Sequence, residues 1–168
     1  YAFDGCSSLA DITDLAVLQS IGNYAFRNCS SLVDVELPTS LETIGSYAFA
    51  QCTGLTNVHS FANVTSIGEY AFYNDSALLT LPASSAIETI GDYAFYNCSS
   101  LLVIPSYTTL TSIGNYAFAN DNLITTIGSL SSLTSIGNHA FYNCASLVAV
   151  NFGADCTIGE AAFAKCVS

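Results

Sequence analysis

The chain has 168 residues, of which 51% are hydrophobic and 9% are charged, and its net charge is −11. This scarcity of Lys and Arg excludes a nucleic-acid binder, which needs cations against the phosphates, and a polybasic membrane anchor. No apolar run approaches the roughly 18 residues of a membrane-spanning helix, so we predict no membrane insertion by this segment.

The motif Ile-Gly-x-Tyr-Ala-Phe recurs, with small variations, along the whole chain. The intervals between its Phe residues are 23, with a final interval of 22, and these residues are Phe3, Phe26, Phe49, Phe72, Phe95, Phe118, Phe141 and Phe163. Repeats of this length indicate a solenoid, in which each coil buries its apolar face against its neighbours. We therefore predict that residues 1–168 form one array of about seven coils, without caps and cut from a longer chain.

Two short strands are predicted in each repeat. The first lies in a Leu-x-x-Val/Ile pattern that starts six residues after Phe, as at Leu32. The second lies in a Leu-x-x-Ile pattern before the motif Gly, as at Leu41. Neighbouring coils should pair these strands at a spacing of about 4.7–4.9 Å, which would build two parallel sheets.

A recurring glycine after the second strand predicts a corner where a Cβ has no room. These glycines are Gly22, Gly45, Gly68, Gly91, Gly114, Gly137 and Gly159. In five of seven repeats the following residue is a favoured helix N-cap type. Phe and the Cys three positions later would then share one face of a helical turn. The predicted fold is therefore an α/β repeat solenoid with one short α or 3₁₀ turn per repeat.

Stacked coils should turn each repeat position into a column of like side chains. We expect one inner column of Phe and another of Cys, the latter with Cys29, Cys52, Cys98 and Cys144. In that column Asp75 and Asp121 replace Cys. Burial of an acid is costly in a dry column, so these acids are expected near the rim or turned outward, and the sequence does not decide between the two.

A further column should hold tyrosines at the rim of the solenoid. Its members are Tyr1, Tyr24, Tyr47, Tyr70, Tyr93 and Tyr116, followed by His139. We interpret these rings as half-buried, with their hydroxyl groups at the rim. A strip on which sugars stack is the alternative.

The seven cysteines are predicted to be free, because parallel Cβ vectors within a column give poor disulfide geometry. There is no Cys-x-x-Cys motif, and only His59 and His139 could assist metal binding, so we predict no metal or other cofactor. No Ser-His-Asp or Cys-His set is indicated, so no catalytic residue is predicted. An acidic group near the start is interpreted as a solvated face rather than a Ca²⁺ loop. This group comprises Asp11, Asp14, Asp34 and Glu36.

The repeat resembles the BspA-type leucine-rich repeat, and the string Ile-Gly-x-Tyr-Ala-Phe-x-x-Cys carries this resemblance along the whole chain. The resemblance implies a right-handed solenoid displayed at the surface of bacteria or of some parasitic protists. For some members of the family it implies adhesion to host or matrix proteins. It implies no catalytic residues.

Exposed strand residues line a continuous surface in such arrays, and here they vary while the frame repeats. The candidate partner surface consists of Asp34, Glu36, Asn57, His59, Leu79, Leu102, Val103 and Tyr107. Its charge fades along the array toward an apolar centre.

Four Asn-x-Ser/Thr sequons are possible glycosylation sites. They are Asn28, Asn63, Asn74 and Asn97. Three share one repeat position, so the repeat consensus explains them without glycosylation.

The sequence favours an extracellular, non-enzymatic scaffold that binds a protein or glycan ligand at a cell surface. The alternative is a structural unit that stacks on copies of itself, end to end, into a fibre or surface layer. In that arrangement the edges of the sheets at both ends would be paired.

Overall fold

A computed structural model describes residues 1–12 and 15–166 of the chain. The chain winds into a parallel β-solenoid of about six turns. Its strands are β1 (Ser20–Ile21), β2 (Asp34–Val35), β3 (Thr43–Ile44), β4 (Asn57–Val58), β5 (Ser66–Ile67), β6 (Thr89–Ile90), β7 (Val103–Ile104), β8 (Ser112–Ile113), β9 (Thr126–Ile127), β10 (Ser135–Ile136) and β11 (Thr157–Ile158). Asp14, which the sequence placed in the acidic group, lies outside the described residues.

The main sheet has seven parallel strands in the order β1-β3-β5-β6-β8-β10-β11. Each strand pairs in register with the equivalent strand of the next coil, as Ile44 does with Ile67. Along most of the sheet the isoleucine of each strand is buried while the Ser or Thr before it reaches solvent. This alternation of apolar and polar residues suits a strand whose one face covers a core.

The second sheet is shorter and consists of two strand pairs, β2-β4 and β7-β9. Single parallel bridges through Thr80 connect β4 to β7, and a further bridge joins Thr126 of β9 to Ala149. One outward column therefore runs from coil to coil along this side. Its residues are Asp34, Asn57, Thr80, Val103, Thr126 and Ala149.

The phenylalanines form a column through the core. Neighbouring rings lie parallel, with centroids 5.3 Å apart between Phe49 and Phe72 and 5.0 Å apart between Phe95 and Phe118. These four side chains are fully buried. Each such ring contributes about 1.5–3 kcal/mol by leaving water, so the column is a main source of stability.

The predicted helical turn is wrong, because no helix occurs anywhere in residues 1–12 and 15–166. From Tyr47 to Gln51 every second amide donates to the next coil: the Tyr47 amide bonds to Glu69 and the Phe49 amide to Ala71. The amides between them close four-residue turns, as the Ala48 amide does by donating to the Gly45 carbonyl. A helix would need each of these amides to bond within its own coil.

The alternation of amides comes with unusual backbone angles at two positions per coil. Tyr47 has a φ of 58° and Gln51 a φ of 63°, and their equivalents in the other coils are similar. This left-handed region is costly for residues other than Gly. The predicted N-cap residues have a different task here. The Asn23 Oδ1 accepts a hydrogen bond from the Ser46 amide of the next coil, at 2.9 Å.

The corner glycines are packed against the backbone of the preceding coil. A Cβ at Gly114 would lie 2.5 Å from the Asp92 amide nitrogen, and one at Gly68 would lie 2.7 Å from the Ser46 amide nitrogen. At Gly22 nothing lies within 4 Å of the same position. The repeated glycine is therefore explained by coil spacing rather than by a left-handed backbone.

The thiol column lies beside the phenylalanines and hydrogen-bonds to their backbone. The Cys52 Sγ donates to the Phe26 carbonyl at 3.1 Å, and the Cys98 Sγ donates to the Phe72 carbonyl at 3.2 Å. Asp75 and Asp121 are fully buried in the same column, so both positions expected for them, the rim and the outside, are wrong.

Candidate binding surface

The candidate partner surface lies along the second sheet, and the fold orients its residues by alternation. Val35 and Val58 point into the core, so Asp34 of β2 and Asn57 of β4 point away from it. Glu36 and His59 follow these strands and are exposed. One side of the solenoid thus carries side chains that differ from coil to coil on a backbone that repeats.

The first coils give this surface an acidic end. The Asn57 Nδ2 donates to the Asp34 Oδ1 at 2.8 Å, and the His59 Nε2 lies 3.5 Å from the same oxygen. A cleft of about 580 Å³ opens here. Its lining includes Asp11, Asp34 and Glu36 together with the apolar residues Ile12 and Leu37. The cleft therefore combines negative charge with apolar surface.

The middle coils give the surface an apolar patch. Leu79, Leu102 and Val103 expose 41%, 44% and 42% of their area. The Leu102 amide donates to the Leu79 carbonyl at 3.2 Å, which places these two leucines on adjacent coils. These apolar side chains therefore lie together on adjacent coils of the second sheet.

Tyr107 does not belong to this surface, which corrects the sequence prediction. Its side chain is fully buried and its hydroxyl donates to the Pro82 carbonyl at 3.1 Å. Tyr107 lies in the turn after the second sheet, twelve residues after its repeat Phe, at the position where Phe61 is also buried. Chain position alone suggested exposure, but the turn points inward here.

Val33, Leu123 and Val148 are among the exposed apolar residues that the sequence analysis did not predict, and they expose 45%, 48% and 75% of their area. Val33 and Val148 occupy the repeat position of Leu79 and Leu102, seven residues after Phe. Extending that position to every coil would have found both. Leu123 occupies a position that is small or polar in most other coils, so no pattern signalled it.

The tyrosine column is not part of the second sheet, and its rings stack face to face. The centroids of Tyr47 and Tyr70 are 4.5 Å apart with an angle of 4° between the ring planes. Each inner ring therefore has a neighbour on both faces and exposes an edge. A sugar that stacks needs an open ring face, so the geometry does not support the sugar-stacking alternative.

The four sequons differ in environment. Asn63 is exposed, and its Nδ2 donates to the Thr39 carbonyl at 2.6 Å. Asn28, Asn74 and Asn97 are partly buried in the left-handed backbone region. The Asn97 Nδ2 donates to the Asn74 Oδ1 at 2.9 Å. All four sequons thus take part in coil-to-coil hydrogen bonding, and Asn63 is the exposed one among them.

Burial sets the chemistry of the thiol column. It raises the pKa of the Cys98 thiol and of the Asp75 and Asp121 carboxyl groups well above their usual ranges. A neutral thiol is a poor nucleophile and a poor metal ligand. Within residues 1–12 and 15–166, no group of three or more His, Cys, Asp and Glu side chains is arranged to hold a metal ion. In the same residues no helix is long and apolar enough to cross a membrane.

A coil of about 23 residues with inward Leu, Ile and Phe at fixed positions defines a leucine-rich-repeat solenoid. The profile of the BspA type leucine rich repeat region matches residues 1–102 and 55–168, with six copies of the repeat. The chain belongs to this family. None of the curated proteins compared with the chain matches it.

Solved structures of three bacterial proteins share the fold. A leucine rich cell surface protein from Faecalibacterium prausnitzii A2-165 is 28% identical with a TM-score of 0.76, over 94% of this chain and 44% of that protein. The T. pallidum leucine rich repeat protein is 24% identical with a TM-score of 0.62, over 83% of this chain and 75% of its own. A leucine-rich repeat protein from Bacteroides ovatus ATCC 8483 is 23% identical with a TM-score of 0.57, over 99% of this chain and 67% of its own. The chain thus spans less than half the length of the Faecalibacterium protein.

Proposed function

We propose that the chain is a non-enzymatic, extracellular scaffold that binds a protein or glycan partner through the candidate partner surface. The observation that carries this proposal is the contrast between the two sheets. The main sheet presents Ser or Thr in every coil, as at Thr43 and Ser66, whereas the second sheet changes from Asp34 to Val103. Variation confined to one side of a repeated frame is what a binding surface requires.

The chemistry of the surface favours a protein as the partner. Leu79, Leu102 and Val103 offer an apolar patch that a folded protein can cover, while Asp34 and Glu36 offer charges that basic side chains can approach. Interfaces combine such an apolar centre with a polar rim. A glycan would use the polar side chains of the first coils instead.

A location at the cell surface is supported by the family and by the Faecalibacterium relative, which is a cell surface protein. The aligned region is 44% of the Faecalibacterium protein. Adhesion by a complete protein that contains this chain is therefore also a proposal.

The test measures binding of the purified chain to immobilised extracellular-matrix proteins and to a glycan array. In the variant Leu102→Asp with Val103→Asp, we expect at least a tenfold loss of affinity, because charge replaces apolar contact at the centre of the surface. Thr89→Asp is the matched control, since Thr89 is exposed on the main sheet. Equal loss in both variants, or no loss in the double variant with circular dichroism unchanged, would refute a role for this patch.

A second candidate function is self-assembly into a fibre or layer. It is supported by the regular register of the coils, because a sheet that pairs Ile44 with Ile67 and Ile67 with Ile90 can pair equally with another copy. Light scattering at increasing concentration and electron microscopy test it. Filaments that persist in the Leu102→Asp, Val103→Asp variant would favour assembly, and a monomer at all concentrations would exclude it.

A further inference from the structure

The tyrosine column places phenol rings at a nearly constant spacing along the solenoid. Ring centroids are 4.8 Å apart between Tyr24 and Tyr47, 4.7 Å between Tyr70 and Tyr93, and 4.9 Å between Tyr93 and Tyr116. The ring planes in these pairs differ by 5° to 8°. Because one coil repeat relates each ring to the next, each carbon beside a hydroxyl lies about one coil spacing from its counterpart.

These rings are also the aromatic side chains of this chain that give up an electron most readily. The sequence contains no Trp and no Met but ten Tyr. Cys52, Cys98 and Cys144 are buried, whereas Tyr47 and Tyr70 are partly exposed. Of the other thiols, Cys29 is buried, Cys156 and Cys166 are partly exposed, and Cys6 is exposed. An oxidant arriving from solvent therefore meets a row of phenols before it meets the thiols of the core.

We propose that the tyrosine column is an oxidative modification site, at which a one-electron oxidant joins neighbouring coils through dityrosine bonds. Two phenols each lose one electron and one proton to the oxidant, which is hydrogen peroxide acting through a peroxidase and is reduced to two molecules of water. The two phenoxyl radicals couple through the carbons beside their oxygens. The hydrogen on each of these carbons then leaves as a proton while the oxygen is reprotonated, which restores both aromatic rings.

The stack favours coupling within the column over coupling between molecules. Two radicals on Tyr47 and Tyr70 are already neighbours, which converts a bimolecular encounter into a local one. Because both residues are partly exposed, the rings can swing from the stack toward each other at the rim. The product links two residues 23 apart in sequence and fastens one coil to the next.

To test this proposal, the folded chain is treated with peroxidase and hydrogen peroxide. Dityrosine is detected by its fluorescence, and the linked peptides are identified by mass spectrometry. We expect linkages between tyrosines of adjacent coils, chiefly Tyr24–Tyr47, Tyr47–Tyr70, Tyr70–Tyr93 and Tyr93–Tyr116. Their yield per chain should not depend on protein concentration, and they should disappear when the chain is oxidised in urea.

Two variants and a control sharpen the result. Substitution of Tyr24, Tyr70 and Tyr116 by Phe keeps the aromatic stack but leaves no two neighbouring tyrosines in the column, so the linkages within it should vanish. His139→Tyr should add a linkage to Tyr116, whose ring now stacks on the His139 ring with centroids 4.7 Å apart. Tyr142→Phe is the matched control, because Tyr142 is partly exposed and lies outside the column. Linkages that are only intermolecular, or that persist unchanged in urea or in the triple variant, would overturn the proposal.

Discussion

The Asp75 Oδ1 accepts a hydrogen bond from the Cys52 amide at 2.8 Å, inside a column where most other coils carry a thiol. Its Oδ2 is fully buried and accepts no hydrogen bond. In the equivalent place the Cys52 Sγ donates to the Phe26 carbonyl. A protonated carboxyl group can donate in the same way, so the acid replaces the thiol only in its neutral form.

The burial of the Asp75 carboxyl group predicts that the free energy of unfolding falls as the pH rises. Burial raises the pKa of Asp75 in the folded state well above its usual value of 3.8. The folded state therefore binds a proton that the unfolded state releases. The stability contributed by the protonated Asp75 carboxyl group is fully present below pH 3.8, its usual pKa. This contribution is lost as the pH rises through the pKa of the folded state. Urea unfolding at a series of pH values measures this loss.

Substitution identifies the group responsible. Asp75→Cys places the residue of most other coils at this position and should raise the free energy of unfolding most near neutral pH, where a carboxyl group of the unfolded chain is ionised and a thiol is not. Asp121→Cys should act likewise, because Asp121 is equally buried. The groups nearest these acids are the thiols of Cys52, Cys98 and Cys144. Glu88→Gln, which removes an exposed acid, is the control for a general effect of net charge. If the Asp75→Cys chain kept the full pH dependence, Asp75 would not be its source.

The corner glycines give a prediction with a built-in control. Gly114→Ala should lower the free energy of unfolding by about 3 kcal/mol, because its Cβ would meet the Asp92 backbone, which cannot move without shifting a coil. Gly22→Ala should change it by less than about 0.5 kcal/mol, since the space beside Gly22 is open. Denaturant unfolding compares the two, and equal effects would contradict the packing explanation.

The phenylalanine column should be most sensitive at its centre. Phe95 stacks between Phe72 and Phe118, with centroids 5.1 Å and 5.0 Å away. Phe95→Ala should cost about 3–5 kcal/mol, since it leaves a cavity that rigid neighbours cannot fill. Phe3→Ala should cost less than half of this, because Phe3 is already 44% exposed. Thermal unfolding of both variants measures the difference.

The cysteines should all be free thiols, and their reactivity should follow their exposure. Cys6 is exposed and should react with a thiol reagent within the folded chain. Cys52, Cys98 and Cys144 should react only on unfolding, because burial keeps them protonated and inaccessible. A count of reactive thiols in denaturant without reductant checks the prediction. Fewer than seven would reveal disulfides.

The sequence predicts the coil and its columns because the same residue types recur at the same positions in each repeat, which identifies the inward positions despite variation in single coils. It places the strands near Ile44 and Val58 and confines Phe49 to the interior. It fails at the turn from Gly45 to Cys52, because spacing along one coil cannot tell whether the Tyr47 amide bonds within the coil or to Glu69 of the next. The burial of Tyr107 was missed for a related reason, since the direction of a turn depends on the space that the neighbouring coils leave.

The hydrogen bonds that join the coils also determine how the chain responds to mechanical force. The amides of Tyr47 and Phe49 both point to the next coil, so these bonds run along the axis of the solenoid. A force along that axis stretches the hydrogen bonds between neighbouring coils. We expect these contacts to break one coil at a time rather than all together. Each step frees one repeat, about 80 Å of extended chain at about 3.5 Å per residue. The array would therefore lengthen in equal steps under force, and it would return to its folded length when the force is released and the coils refold on one another.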